Sequence, residues 1–169
     1  LEITGCEPEH HASMIDRLRQ AGATVETGKR RLVVSAERRP GPATIVTAPY
    51  PGFPTDLQAQ FTALLATGHG TSVVTENVFE SRFLHVLELN RMGAKIDING
   101  RMAVIQGVEH LSGAQVMASD LRASAALVLA AIVARGDTEI QRIYHLDRGY
   151  ETLERKLNGV GAKIERVSY

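Results

Sequence analysis

Apolar positions recur at two spacings along this chain, and the switches between them lay out its elements. Residues 1–4 read as a strand. Pro8 marks a helix start, and His11, Met14, Ile15 and Leu18 follow the i, i+3, i+4, i+7 spacing of a half-buried helix that Gly22 ends. Two strand-like runs, 23–26 and 32–35, flank Gly28 and Lys29 as a hairpin. A basic connection rich in Pro and Gly, 38–42, leads to a β-branched strand at 44–47. Pro54 biases its predecessor away from helix, Thr55 is a good N-cap, and 57–65 runs at helical period until Gly68 and Gly70. A strand at 72–75 follows, and 76–83 carries the chain into a helix ending near Gly93. Strands at 95–98 and 103–105 form a hairpin around Asn99-Gly100, a type I′ turn signal. A strand at 114–117 precedes Ser119-Asp120-Leu121-Arg122, which opens an apolar helix that Gly136 ends. The pattern closes with a strand at 138–143, a helix entered through 145–150, and a last strand at 163–167.

Two motifs repeat within this series. Leu18-Arg-Gln-Ala-Gly22-Ala-Thr-Val-Glu26, Leu89-Asn-Arg-Met-Gly93-Ala-Lys-Ile-Asp97 and Leu157-Asn-Gly-Val-Gly161-Ala-Lys-Ile-Glu165 are one phrase written three times, at a period of roughly seventy residues. Each has a helix-stop Gly, a small residue and then a strand. Thr55-Asp56-Leu57 and Ser119-Asp120-Leu121 likewise each open a helix that ends in Gly. The implied unit is strand, helix, strand, helix, strand, strand. Residues 43–107 hold a full copy, 1–37 the second half of one, and 113–167 a copy missing its last strand. Repeated about a pseudo-threefold axis, such units bury the apolar helices centrally and leave the sheets outside. The chain opens at Leu1, already inside a strand, which points to a fragment of something longer.

Composition narrows the picture without redirecting it. A chain of 169 residues, 44% hydrophobic and 22% charged, suits one globular domain. Lys plus Arg and Asp plus Glu each number 19, so bulk electrostatics favour neither nucleic acid nor a membrane surface as partner. The apolar run 125–134 is too short to span a bilayer and reads as a helix buried on nearly all sides. A lone Cys6, which excludes an internal disulfide, fits a reducing cytosol and reads as a structural thiol.

Candidate chemistry begins at Asp56. In the first turn of its helix, this carboxylate would be held ionised by the helix dipole and by free backbone N–H groups; the plainer alternative is a cap. Arg82, Arg122 and Arg148 recur at or near helix starts, where guanidinium groups and exposed N–H groups suit a multiply charged small substrate; a solvated surface role is the alternative for each. His110 and His145 fall in connections near the candidate site. The six His show no metal-ligand spacing, so no metal is assigned, and no phosphate loop of the dinucleotide or Walker type is present.

Four stretches then carry a resemblance: Thr47-Ala-Pro-Tyr-Pro-Gly-Phe-Pro-Thr-Asp-Leu-Gln-Ala-Gln60, Glu76-Asn-Val-Phe-Glu-Ser-Arg-Phe83, Leu111-Ser-Gly-Ala-Gln-Val-Met-Ala-Ser-Asp-Leu-Arg-Ala-Ser124 and Ile143-Tyr-His-Leu-Asp-Arg-Gly-Tyr-Glu151. From end to end the chain resembles the UDP-N-acetylglucosamine 1-carboxyvinyltransferases, or enolpyruvyl transferases. The resemblance implies an α/β fold, an inside-out α/β barrel with pseudo-threefold repeats of a βαβαββ unit, and a cytoplasmic enzyme of peptidoglycan synthesis. Such an enzyme moves the enolpyruvyl group of phosphoenolpyruvate onto the 3-hydroxyl of UDP-N-acetylglucosamine and needs no metal or organic cofactor. It further implies that Asp56 binds that hydroxyl and acts as general base, that Val78 contacts the UDP-sugar through its backbone, and that Arg122 and Arg148 bind phosphoenolpyruvate. Asp120 would assist the proton transfers, and Arg82 would support them.

The same resemblance implies what these 169 residues lack. They correspond to one domain without its partner N-terminal domain and without an N-terminal strand; the family's mobile-loop Cys, Lys-Asn pair and further Arg residues lie in those parts. Tyr50 stands where many relatives carry His. The expectation is a chain inactive alone, with no nucleic-acid or membrane partner. Two other readings stay open: the sister transferase acting on shikimate 3-phosphate, and a non-catalytic ligand-binding module.

Overall fold

The structure, a computed structural model, describes residues 1–80 and 82–167; Ser81, within the second of the four motifs, lies outside the described residues. The elements fall into three successive groups. The first comprises β1 (Glu2–Thr4), a short 3-10 turn, α1 (Ala12–Gln20), β2 (Thr24–Gly28) and β3 (Arg31–Ser35), with an antiparallel sheet in the order β1-β3-β2. The second comprises β4 (Thr44–Val46), α2 (Gln58–Ala66), β5 (Thr71–Thr75), α3 (Leu84–Arg91), β6 (Lys95–Asn99) and β7 (Met102–Gln106). Its sheet runs β4-β5-β7-β6, with only the β4–β5 pair parallel. The third holds β8 (Gln115–Met117), α4 (Leu121–Val133), β9 (Glu139–Gln141), α5 (Tyr144–Asp147) and α6 (Leu153–Asn158), with β8 and β9 parallel.

Helix-to-strand corners repeat with the sequence. Gly22, Gly93 and Gly161 all have positive φ, at 93°, 88° and 102°, the left-handed step that ends a helix without a Cβ penalty. The residue after each motif Leu then bridges forward by six. Asn90 Nδ2 donates to Ile96 O at 3.0 Å and Asn158 Nδ2 to Ile164 O at 2.8 Å, while Arg19 Nη2 reaches Val25 O at 2.6 Å.

The core lies between the second and third groups. α2 is buried on most of its surface through Ala59, Phe61, Ala63, Leu65 and Ala66, and it packs along α4 at Ala126, Leu127 and Ala130. Phe53 meets Phe61 edge to face at 4.9 Å. The sheet residues Ile45, Val74, Ala103 and Ile105 close the layer from outside.

Several expectations change. The 163–167 segment is not a strand. In the second group β6 pairs only with β7, and a copy lacking the β7 equivalent gives this segment no neighbour to hydrogen-bond. It is held instead by Asn158 and by Arg166, which forks Asp147 at 2.7 and 3.0 Å. A cavity of about 1030 Å³ lies between it and β9. The apolar helix is not buried on nearly all sides: Leu129, Ile132 and Val133 are 41%, 40% and 56% exposed, one stripe at i, i+3, i+4. The second hairpin turns on Gly100 and Arg101, since Asn99 pairs with Met102 and only Gly100 has positive φ. The helix that follows the 76–83 stretch, α3, starts at Leu84, as expected, and ahead of it Glu76 holds the N–H groups of Val78 and Phe79 in a loop.

Candidate active site

The same Thr/Ser-Asp-Leu motif opens the two central helices in two different ways. Asp120 is extended (φ −155°, ψ 174°) and caps α4, its Oδ1 accepting from the N–H of Arg122 at 2.8 Å and of Ala123 at 3.0 Å. Thr55 does not cap α2. The chain enters that helix through a 3-10 turn, Thr55–Leu57, and the Thr55 hydroxyl is spent elsewhere: it donates to Glu76 Oε2 at 2.8 Å and accepts from Arg82 Nη1 at 2.7 Å. Asp56, released from capping, points its carboxylate across to the neighbouring group.

There it meets Arg122, and Arg82 of its own group flanks it. Arg122 Nε donates to Asp56 Oδ1 at 2.6 Å, and Arg82 Nη1 stands 3.5 Å from the same oxygen. Asp56 is 59% exposed, whereas Arg122 and Arg82 are 32% and 20% exposed, so the cations line a wall and the acid stands at its rim. The Asp56 carboxyl is held below the usual carboxylate range, chiefly by the Arg122 hydrogen bond, with partial burial opposing it and the charges of Arg122 and Arg82 adding to it. The backbone N–H groups expected from the sequence are not among these causes. Arg82 also lies over the Phe79 ring, 4.1 Å from its centroid, which fixes the guanidinium plane.

Arg148 does not start a helix; it follows α5. Its side chain is exposed and makes no hydrogen bond or ion pair among the described residues. The next residue, Gly149, sits so close to Leu121 that a Cβ would lie 2.8 Å from Leu121 Cδ2, and Tyr150 is near enough to act on Arg122. The backbone after Arg148 thus packs beside the start of α4. Val78 is 40% exposed, with its N–H committed to Glu76 Oε1 at 2.8 Å. Tyr50 stands 77% exposed. His110 is misplaced by the sequence reading: it lines a small cavity with Val133, at the far end of α4 from Asp120.

Sequence reasoning missed Thr47 and Glu76. Buried Glu76 gathers four hydrogen bonds, from Thr47 Oγ1 (2.6 Å), Thr55 Oγ1 (2.8 Å) and the N–H groups of Val78 (2.8 Å) and Phe79 (3.0 Å). Burial works against its charge, but these donors outweigh it and hold the carboxyl below its ordinary range. The only sequence signal was that each residue opens one of the four motifs. Chemically, an exposed ionised acid beside two arginines can take a proton from an alcohol while cations hold an anionic reactant.

Comparisons with known proteins extend this geometry. A family model described as EPSP synthase (3-phosphoshikimate 1-carboxyvinyltransferase) matches residues 1–157. UDP-N-acetylglucosamine 1-carboxyvinyltransferase 2 of Carboxydothermus hydrogenoformans is 60% identical over 162 residues, covering 95% of this chain and 39% of the relative. The similarly named protein of Mesorhizobium japonicum is 56% identical over 168 residues, covering 99% and 40%. This chain thus spans about 40% of the length of the curated relatives it matches. Among solved structures, the enolpyruvyl transferase NikO from Streptomyces tendae matches with a TM-score of 0.87 at 29% identity, over 98% of this chain and 39% of that one. EPSP synthase from Acinetobacter baumannii matches with a TM-score of 0.75 at 19% identity, over 98% and 40%, a likeness of fold alone.

Proposed function

We propose, for a chain that belongs to the EPSP synthase (3-phosphoshikimate 1-carboxyvinyltransferase) family, that it supplies part of the active site of a UDP-N-acetylglucosamine 1-carboxyvinyltransferase. The observation that carries this reading is the convergence of Asp56 and Arg82, 3.5 Å apart in one repeat, with Arg122 from the next, 2.6 Å from Asp56. The reaction is an addition followed by an elimination. Asp56 takes the proton of the sugar 3-hydroxyl as its oxygen bonds to C2 of phosphoenolpyruvate, and C3 gains a proton; loss of a C3 proton then expels phosphate from C2 and restores the C2–C3 double bond, now in an enolpyruvyl ether. Arg122 and Arg148 bind the phosphate and carboxylate, whose charge shifts in the tetrahedral adduct. Asp120, fixed as a cap beside Arg122, assists the proton transfers. Val78, its N–H occupied by Glu76, offers the sugar nucleotide its carbonyl.

Arg122 links the two halves of this chemistry. A carboxylate bonded to a guanidinium is a weak base, and an anion that binds Arg122 competes for that guanidinium. As the anion claims it, Asp56 loses the contact that lowers its pKa and becomes a stronger base.

The chain is read as one domain of the longer protein, with the partner domain and one strand supplied by the remainder. The decisive experiment measures phosphate release from phosphoenolpyruvate by this chain joined to segments completing its relatives' length. Release should depend on UDP-N-acetylglucosamine, and Asp56→Asn should cut it by about 10³-fold or more. Release that follows shikimate 3-phosphate instead supports the other acceptor, which the family description favours. Silence with both acceptors leaves a binding module.

A further inference from the structure

We propose that Glu76 is a positioning residue for this site, fixing both the turn that carries Asp56 and the Val78 backbone through one buried carboxylate. The inference rests on the functional reading above for its kinetic consequence, but its geometric content stands apart from it. Glu76 is 1% exposed and lies just past the end of β5. It joins three pieces of chain through its side chain: the residue after β4 at Thr47, the turn at Thr55 and the loop at Val78 and Phe79.

The reason for an acid is directional. An ionised carboxylate only accepts, so both threonine hydroxyls must spend their protons on it and turn their lone pairs outward. Thr47 Oγ1 accordingly accepts from the N–H of Asn77 at 2.9 Å, and Thr55 Oγ1 accepts from Arg82 Nη1 at 2.7 Å. One charge thereby sets the polarity of two relays, and the second ends on a guanidinium beside Asp56. Three donors share Oε1 while one meets Oε2. An amide of the same size cannot reproduce this: with its oxygen toward Thr47, Val78 and Phe79, its NH2 faces the Thr55 hydroxyl and reverses that relay. Retaining a buried charge is costly, and an apolar residue would fill the space with less penalty if packing were its purpose.

The test uses Glu76→Gln with two readouts. In the 169-residue chain, amide hydrogen exchange at Val78 and Phe79 should quicken about tenfold, while amides of α2 and α4 keep their protection; unchanged exchange at Val78 and Phe79 overturns the proposal. In the chain completed to its relatives' length, KM for UDP-N-acetylglucosamine should rise about tenfold, with KM for phosphoenolpyruvate within about twofold. A fall in kcat alone, with both KM values unmoved, overturns it as well. Thr55→Val should reproduce the defect on the Arg82 side and Thr55→Ser should restore it, which keeps the proposal open to refutation if Glu76→Gln does not fold. No turnover in the unsubstituted completed protein would sink the functional reading, while the exchange measurement would still decide the role of Glu76.

Discussion

Asp56 owes its lowered pKa chiefly to a residue sixty-six positions away. Its pKa is depressed by Arg122 first, so removing that guanidinium should let it climb back toward the ordinary carboxylate value. A carboxyl titration followed by NMR in Arg122→Ala should show this rise; an unmoved Asp56 would return the cause to the helix dipole. Because the folded-state pKa lies below the unfolded one, the pair's contribution is present above the ordinary carboxylate range and fades as pH falls through the depressed value. With Asp56 largely exposed, that contribution to stability is small, and the pair's significance is chemical. Sequence reading found Asp56, Arg82 and Arg122 because carboxylates and guanidinium groups at helix starts carry recognisable chemistry. Glu76 escaped it because a Glu within a polar stretch looks solvated until the threonines that surround it are placed in space.

At the level of elements, two copies of one motif show how far local sequence reaches. Ser119-Asp120 and Thr55-Asp56 predict the same capped helix, yet only Asp120 caps. Thr55 has a stronger claim from Glu76 and Arg82, and the second Asp becomes available for chemistry. α3 carries a further consequence. His85 is 2% exposed, its Nε2 has no partner among the described residues, and burial pushes its pKa down to about 4 despite the opposing charge of Asp120. The unfolded chain therefore binds a proton that the folded one refuses. Stability is fully present above about pH 6.5 and is lost as pH falls toward 4, by roughly 2 kcal/mol over the first two units. Urea unfolding at pH 6.5 and 4.5 should reveal that loss, and His85→Leu should abolish it; an equal loss in the variant would assign it to other groups. The helix-stop glycines and apolar periods made most elements legible, whereas the 163–167 strand was not, because strand pairing depends on a partner that this stretch lacks.

For the whole molecule, apolar surface stands open at the cavity beside β9 and at the Leu129, Ile132 and Val133 stripe of α4, Ile132 lining both. In the second group the position matching that cavity is filled by β7. Alone, the chain should associate at high concentration and release no phosphate from phosphoenolpyruvate. Sedimentation showing only monomer, or measurable turnover by the 169 residues, would contradict this. The sequence by itself determined the order of elements, the repeat and the residue types able to do the chemistry, since period, capping and turn preferences act between near neighbours. Only the tertiary structure decided which Asp caps and which faces Arg122, why Glu76 is charged in the interior, and which strand goes unformed. Those outcomes depend on competition among groups far apart in the chain, and such competition is settled by distance and burial that no local pattern encodes.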